Sequence, residues 1–337
     1  MAARRCAVNA LAVAAIGGDG RGMIADFLGH GGRIDAAMRA WPDAPRPWLD
    51  LSTGINPMPW QPAPALAVDA APLPSREALA GLEAAAACAF GVAAERVAAV
   101  PGSEIALRLL GAMGVPRPIV APGPGYGTHR AVADAPTGEG ATLLLANPNN
   151  PDGREIAPDA LLAMAPDRWL VVDEAFVDAT PALSVLPLAA ADARVIVLRS
   201  FGKFFGLAGV RLGFVVAPPE VLARLRALLG DWPVSAQAIA WGTAAYADAR
   251  WIAAMRVTLA ARAARLDALL ARHGLAATGA CPLFRLVAHH DARAIFARLA
   301  AAGVLTRPFA DRADWLRFGL PGDDTGFDRL DRALARG

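Results

Sequence analysis

Lysine is nearly missing from this sequence. Of 33 Lys+Arg residues in 337, one is a lysine, Lys203, and the other 32 are arginines. Cysteine is scarce as well. Cys6, Cys88 and Cys281 are an odd, scattered set with no Cys-x-x-Cys pair, which argues against a disulfide framework and a zinc site and for a reducing compartment, the cytoplasm. Charge of one sign is lacking too: 33 basic against 31 acidic residues leave +2, no electrostatic footprint for nucleic acid or an anionic membrane. Nor does any run of about 18 apolar residues go uninterrupted by Pro, Gly or charge, so the 55% hydrophobic fraction, much of it alanine, does not signal a span. What is present is a chain long enough for two or three domains and a large core without cross-links.

The scarcity of lysine makes Lys203 informative. Arginine serves as well as lysine on a solvated surface, but its guanidinium stays charged at any working pH and cannot attack a carbonyl. A lysine that resists a drift through the whole chain is a candidate for covalent amine chemistry such as a Schiff base. A chance survivor is the other reading, and the surroundings of Lys203 weigh against it.

Residues 1–22 imitate a short signal peptide, with Arg4 and Arg5 before an Ala/Val run. The run ends in glycines without a small-x-small cleavage site, so a disordered tail, or a working start nearer Met23, is expected. The spacing of Ile34, Met38 and Trp41 predicts a helix stopped by Pro42, followed by a short extended piece at 48–52 and a proline-rich covering loop at 57–74. From about 76 to 217, helices predicted at 76–90, 103–113 and 158–165 alternate with strands at 97–100, 118–121, 141–146, 169–173, 195–199 and 213–217. Apolar strands separated by helices imply an α/β fold with a mostly parallel sheet covered on both faces. Long Ala/Leu/Arg helices follow at 219–229 and 234–272, then a short α/β section with strands at 284–287, 304–306 and 315–318. The expected organisation is a segment 23–74, a large domain 75–220 and a C-terminal part 221–337 that joins the first segment in a smaller α/β domain.

Four segments at the ends of predicted strands carry chemistry, where open α/β sheets place ligands. Pro101-Gly102-Ser103-Glu104 opens a helix; its N–H groups suit a phosphate, though Ser and Glu are also ordinary cap residues. Asn147-Pro148-Asn149-Asn150-Pro151-Asp152-Gly153 is either a tight turn or a fixed source of side-chain amides. Asp173, in Asp173-Glu174-Ala175-Phe176, ends an apolar strand and needs a cationic or N–H partner, unless it is a helix cap. Ser200, Lys203 and Arg211 share one glycine-rich turn, and a hydroxyl and a guanidinium flanking an amine match a ligand with an aldehyde and a phosphate.

Taken together and in this order, the Asn-Pro-Asn-Asn-Pro-x-Gly, Asp-Glu-Ala-Phe and Ser-x-x-Lys…Arg blocks resemble the fold-type I pyridoxal 5'-phosphate enzymes, in the class I/II aminotransferase branch that includes histidinol-phosphate aminotransferase. The resemblance implies that Lys203 holds the cofactor and Asp173 pairs with its ring nitrogen. It implies Asn150 on the ring's 3′ oxygen, Ser103, Glu104, Ser200 and Arg211 on the phosphate, and Tyr126 stacked on the ring, unless that tyrosine is a core residue.

His30-Gly31-Gly32 and the Ile55-Asn56-Pro57 turn are similar to the threonine-phosphate decarboxylases of cobalamin biosynthesis within this branch. That likeness implies decarboxylation of a phosphorylated amino acid, L-threonine O-3-phosphate, by a homodimer, with His30, Gly31, Gly54, Asn150, Arg307 and Arg317 on the substrate. A substrate with both a carboxylate and a phosphate calls for two cations, and Arg317 matches the carboxylate position. Four departures stand out: Gly54 where the decarboxylases have Asn, Leu73-Pro74 where the family has Tyr-Pro, His129 where tyrosine is usual, and Phe176 where many aminotransferases carry a tyrosine and the decarboxylases also have Phe. An aminotransferase acting on a phosphorylated substrate such as histidinol phosphate is the alternative; a non-catalytic scaffold would have no reason to keep its one lysine in this turn.

Overall fold

A computed structural model describes residues 24–62, 65–191 and 193–335. The tail expected at 1–22 lies outside them. The chain forms two compact units.

The first, Met58–Ala260 with Ala280–Pro282, is built on a six-stranded sheet. Its strands are β2 (Val97–Val100), β3 (Ile119–Val120), β4 (Thr142–Ala146), β5 (Trp169–Asp173), β6 (Val195–Ser200) and β7 (Gly213–Val216), in the order β2-β7-β6-β5-β4-β3. β3 to β6 run parallel, as the alternation of helix and strand predicts. β7 is antiparallel to both β6 and β2. The link from β6 to β7 carries only a single-turn helix and a 3₁₀ turn, too short for the crossover that a parallel return needs. Every residue of β2, β4 and β7 is buried, which accounts for their uninterrupted apolar runs.

Local signals fix the helices of this unit. Ser75 caps α2 (Arg76–Phe90) by accepting the Ala78 N–H, and Gly91 closes it in the left-handed region at φ 70°. The helix expected over 234–272 is two, Ala236–Ala247 and Ala249–Arg272. Asp248 divides them: its carboxylate accepts the Trp251 N–H at 3.0 Å and so caps the second helix, while the Trp60 indole donates to it at 3.0 Å.

The two units divide at Pro57/Met58 and Ala260/Ala261, with Ala280–Pro282 returning to the sheet unit. Trp60 joins the covering loop to the sheet unit through its N–H to the Phe205 carbonyl at 2.9 Å. Val221, Leu222 and Leu225 join the sheet's own core, and Gly242 lies so close to Leu82 that a Cβ would come within 2.6 Å.

The second unit holds the described residues up to Pro57, Ala261–Gly279 and those from Leu283 on. It contains an antiparallel sheet in the order β11-β12-β9-β8: β8 is Ala277–Thr278, β9 Phe284–Ala288, β11 Arg307–Pro308 and β12 Trp315–Gly319. A parallel pair joins β1 (Leu49–Asp50) to β10 (Val304–Leu305). Helices Ala292–Ala301 and Asp324–Leu334 bury one face each. Among the described residues, no helix is long and apolar enough to cross a membrane.

Candidate active site

Strand register sets the sheet unit's site. Ala146 pairs with Asp173, Asp173 with Leu198, Ser200 with Gly213, and Gly213 with Val100. The asparagine turn, the acidic strand end, the lysine turn and the Gly102 turn therefore leave the sheet along one edge. That placement follows from hydrogen-bonded neighbours, which no local pattern in the sequence records.

Asp173 is 6% exposed. One carboxylate oxygen lies 2.9 Å from His129 Nε2, and the other accepts the Ala175 N–H at 3.1 Å. His129 is itself buried, on the short helix Gly127–Val132. Sequence reasoning registers His129 only as a departure from tyrosine and misses this partnership, because the two residues are 44 apart in the chain. Tyr126 meets the His129 ring edge-on, with centroids 5.7 Å apart, and packs at the margin of the sheet's core. Burial and the nearby Glu104 carboxylate push its hydroxyl pKa up to about 12.

Lys203 sits on a single helical turn, Phe201–Phe204, directly after β6, with Nζ 5.8 Å from the centre of the Phe176 ring. Phe176 follows Asp173 by three residues, so the lysine faces the segment that carries the carboxylate. Arg211 is the one non-glycine among the described residues with positive φ, 57°, a conformation usually tied to a local demand. Its guanidinium covers Gly102, where a Cβ would stand 2.7 Å from Nη2 and where φ is +89°. Gly213 is equally constrained, since a Cβ would lie 2.6 Å from the Ser103 nitrogen. Glycine at both positions lets the Arg211 turn close onto the start of helix Ser103–Leu109.

The three asparagines divide their work. Asn147 donates to the Ile156 and Leu183 carbonyls at 3.0 and 3.1 Å and accepts the Ile156 N–H at 2.9 Å. Asn149 donates to the Pro124 carbonyl at 2.9 Å and to Asp152 at 2.8 Å. Both amides build the turn, and Asn150 is half-buried at its tip. The Glu104 carboxylate accepts Thr128 Oγ1 at 2.9 Å and pairs with Arg108 at 2.7 Å.

Beside the site lies a buried charge cluster that the sequence reading does not anticipate. Arg199, next to Ser200, donates to Glu174 at 3.1 Å and to Asp178. Glu174 also accepts Ser184 Oγ and the Val185 N–H, each at 2.8 Å. Burial pushes the Glu174 carboxyl pKa up against the pull of Arg199. The cluster anchors the residues that follow Asp173 and precede Lys203.

The remaining predicted residues belong to the second unit. Arg307 and Arg317 are buried and pair in register across β11 and β12. Arg307 donates to the carbonyls of Phe27, Leu28 and Gly29, and its guanidinium lies 5.0 Å from the Phe309 ring centre. Arg317 donates to the Ser52 carbonyl at 3.0 Å and lies 4.9 Å from the Phe284 ring centre. His30 is exposed, Gly31 packs on Ser52, and Gly54 is buried one residue past Thr53.

Known proteins with similar sequences or folds agree on the lineage. A family model, aminotransferase class I and II, matches residues 127–334. A threonine-phosphate decarboxylase from Sinorhizobium sp is 41% identical, over 91% of this chain and 97% of its own length. One from Pseudomonas aeruginosa is 40% identical over the same shares. Among solved structures, histidinol-phosphate aminotransferase from Sinorhizobium meliloti, in complex with pyridoxal-5'-phosphate, superposes with TM-score 0.77 at 22% identity, covering 89% of this chain and 93% of that one. The last likeness shows the fold; with the first three it establishes that this chain belongs to the class I and II aminotransferase family and has its fold-type I architecture.

Proposed function

We propose that this chain is a pyridoxal 5'-phosphate-dependent carbon–carbon lyase that converts L-threonine O-3-phosphate to (R)-1-amino-2-propanol O-2-phosphate for cobalamin biosynthesis. The observation that carries the reading is identity of 40–41% sustained over nearly the full length of two threonine-phosphate decarboxylases.

The sheet-edge residues fit the cofactor. The Gly102 cradle under Arg211 brings main-chain N–H groups and a guanidinium together where a phosphate needs them, and no Cβ is tolerated there. The main-chain N–H groups of Ser103 and Glu104 and the Ser200 hydroxyl would complete that grip, with Asn150 on the ring oxygen and Tyr126 on the ring face. When bound, the cofactor supplies an aldehyde that takes an amine and a ring that accepts an electron pair. Lys203 is the one side chain of the protein able to shed a proton and hold that aldehyde, and it is the proton carrier at the substrate's Cα. Asp173, fixed by His129 and the Ala175 N–H, would pair with the ring nitrogen. Arg317 takes the substrate carboxylate in a two-pronged grip and orients the Cα–carboxylate bond for cleavage. Arg307, His30 and Gly31 serve the substrate phosphate; Gly54 offers backbone alone. The balance is simple: the Cα–carboxylate bond breaks, CO₂ leaves, and one proton is added at Cα.

A second copy of the chain belongs to the same reading. Leu73, 66% exposed, stands at the position from which the family reaches its partner subunit. A cytoplasmic location is supported by the sequence's three scattered cysteines, an odd number with no Cys-x-x-Cys pair. The test is CO₂ release from phosphothreonine by the purified holoenzyme with no 2-oxo acid present. Turnover that requires a 2-oxo acid would instead assign an aminotransferase. Sedimentation at micromolar concentration checks the dimer.

A further inference from the structure

Within the second unit, the two segments assigned to the substrate meet on one small residue, Ser52. Ser52 is 2% exposed and lies two residues past β1. Its hydroxyl oxygen accepts the Gly32 N–H at 2.7 Å and donates to Asp50 Oδ1 at 2.6 Å. Its own N–H donates to the same carboxylate oxygen at 2.9 Å, so Asp50 fixes both the backbone and the rotamer. Its carbonyl accepts Arg317 Nη2 at 3.0 Å. A Cβ on Gly31 would lie 2.3 Å from that carbonyl oxygen and 3.1 Å from the hydroxyl. The His30-Gly31-Gly32 turn therefore rests directly on Ser52, with no room for a side chain at Gly31, and Gly32 takes a left-handed φ of +77°. From the other side, β12 closes on the same segment, with the Gly319 N–H donating to the Leu51 carbonyl at 2.7 Å.

We propose that Ser52, held by Asp50, is a positioning residue that sets the His30–Gly32 turn and the Arg317 guanidinium relative to each other, and so fixes the spacing at which a phosphate and a carboxylate on one substrate are recognised. The inference rests on the substrate reading above for what the two segments bind. A buried hydroxyl with one donor and one acceptor partner has a single satisfied orientation. A main-chain carbonyl has little freedom to follow a guanidinium that shifts. Movement of the turn is thus transmitted to Arg317 through three covalently linked atoms of one residue, and a substrate whose two anions are differently spaced meets a rigid pair.

The experiment compares wild-type holoenzyme with Ser52→Ala and Asp50→Asn. It reads KM and kcat for CO₂ release from phosphothreonine, calorimetric binding of phosphothreonine, the visible cofactor band and the melting temperature. Ser52→Ala removes the acceptor for the Gly32 N–H and keeps the carbonyl. KM and the dissociation constant should rise about tenfold, the worth of one buried hydrogen bond. Within the same variant kcat should stay within about threefold, with the cofactor band and melting temperature near wild type. Asp50→Asn, which keeps an oxygen acceptor for the hydroxyl, should recover most of the affinity. A double-mutant cycle of Ser52→Ala with Arg317→Lys should be non-additive, because both act on one geometry. Unchanged affinity in Ser52→Ala, a loss in kcat alone, or strict additivity in the cycle overturns the inference. If Ser52→Ala loses its fold, Asp50→Ala, at a half-buried side chain, asks the same question by releasing the hydroxyl. Failure of the wild type to release CO₂ overturns the decarboxylase reading instead, and phosphothreonine binding still decides the role of Ser52.

Discussion

Arg199 in the sheet unit and Arg307 and Arg317 in the other are all buried, and their surroundings differ. In the sheet unit, Arg199 is enclosed with two carboxylates, Glu174 and Asp178, and stacks 4.2 Å from the Phe90 ring centre. In the other unit, the hydrogen bonds that orient Arg307 and Arg317 run to main-chain carbonyls, those of Phe27, Leu28 and Gly29 for the first and of Ser52 for the second. Two carboxylates more than offset one guanidinium, and such a cluster acts as structural glue in that losing any one partner strands the others in the interior. A carbonyl orients a guanidinium through its dipole. The first arrangement suits a scaffold that must not move under Asp173 and Lys203. The second suits a recognition surface for anions.

The largest test of that division lies in the sheet unit and is chemical rather than structural. Lys203→Arg keeps the positive charge and conforms to the rest of the chain, where arginine is the basic residue everywhere else. The melting temperature should move by no more than a few degrees, while CO₂ release falls by more than about 10³-fold, since guanidinium cannot shed the proton. Cofactor should still associate through the Gly102–Arg211 cradle, without the absorbance of a lysine-bound aldehyde. Comparable turnover by the variant and the wild type would sink the assignment of Lys203.

Next in size is Arg199→Ala. It strands Glu174 and Asp178 in the interior, and removing one partner from such a cluster costs about 3–5 kcal/mol. Urea unfolding followed by tryptophan fluorescence should show the loss as a lower midpoint with little change in slope. Arg317→Ala should cost clearly less stability, since the Ser52 carbonyl it leaves behind is a neutral acceptor. Equal losses from the two would erase the distinction between glue and recognition.

Arg317→Lys probes the other side of the comparison. The charge remains and the planar fork is lost, which is worth about 1.5–3 kcal/mol at a carboxylate, or about tenfold to a hundredfold in kcat/KM. The change should fall chiefly on KM, with the cofactor spectrum intact. A loss confined to kcat would place Arg317 in the chemistry rather than in recognition.

How much of this is legible in the sequence depends on how local the cause is. Helix Arg76–Phe90 and strands Val97–Val100 and Trp169–Asp173 coincide with their expected ranges, because a serine cap, a glycine stop and continuous apolar runs are local signals. Lys203 is found through composition, since a single survivor of a drift is conspicuous in any order of reading. His129 and Ser52 are not found. Their importance comes from partners 44 and 20 residues away, and a histidine or serine in a loop looks the same with or without them. The asparagine turn is half-read: three amides are visible in the chain, but only packing tells that Asn147 and Asn149 are consumed by the turn itself. The division at Asp248 is missed for a related reason, because an Ala-rich run hides a cap whose value depends on Trp60 and Trp251.

The smallest expected effect concerns charges that serve neither as glue nor as recognition. Asp331 on the C-terminal helix accepts from His273 at 2.6 Å and from Arg272 at 3.4 Å, and these bonds, the histidine's foremost, hold its carboxyl below the usual aspartate pKa of 3.8. A carboxyl lowered in the folded state adds stability above its unfolded pKa and loses that contribution as pH falls through 3.8 toward the lower folded value. Unfolding free energy of the wild type should therefore bend downward below about pH 4, and Asp331→Asn should flatten that bend. The two proteins should differ most near neutral pH, by the small amount expected of a solvent-screened pair, and converge as pH falls below the folded value. Their KM values should coincide, because the side-chain partners of Asp331 are His273 and Arg272, which are not among the substrate residues. An Asp331→Asn enzyme with altered KM would mean that the recognition surface extends to this helix, and the line drawn between the two kinds of arginine would have to be redrawn around it.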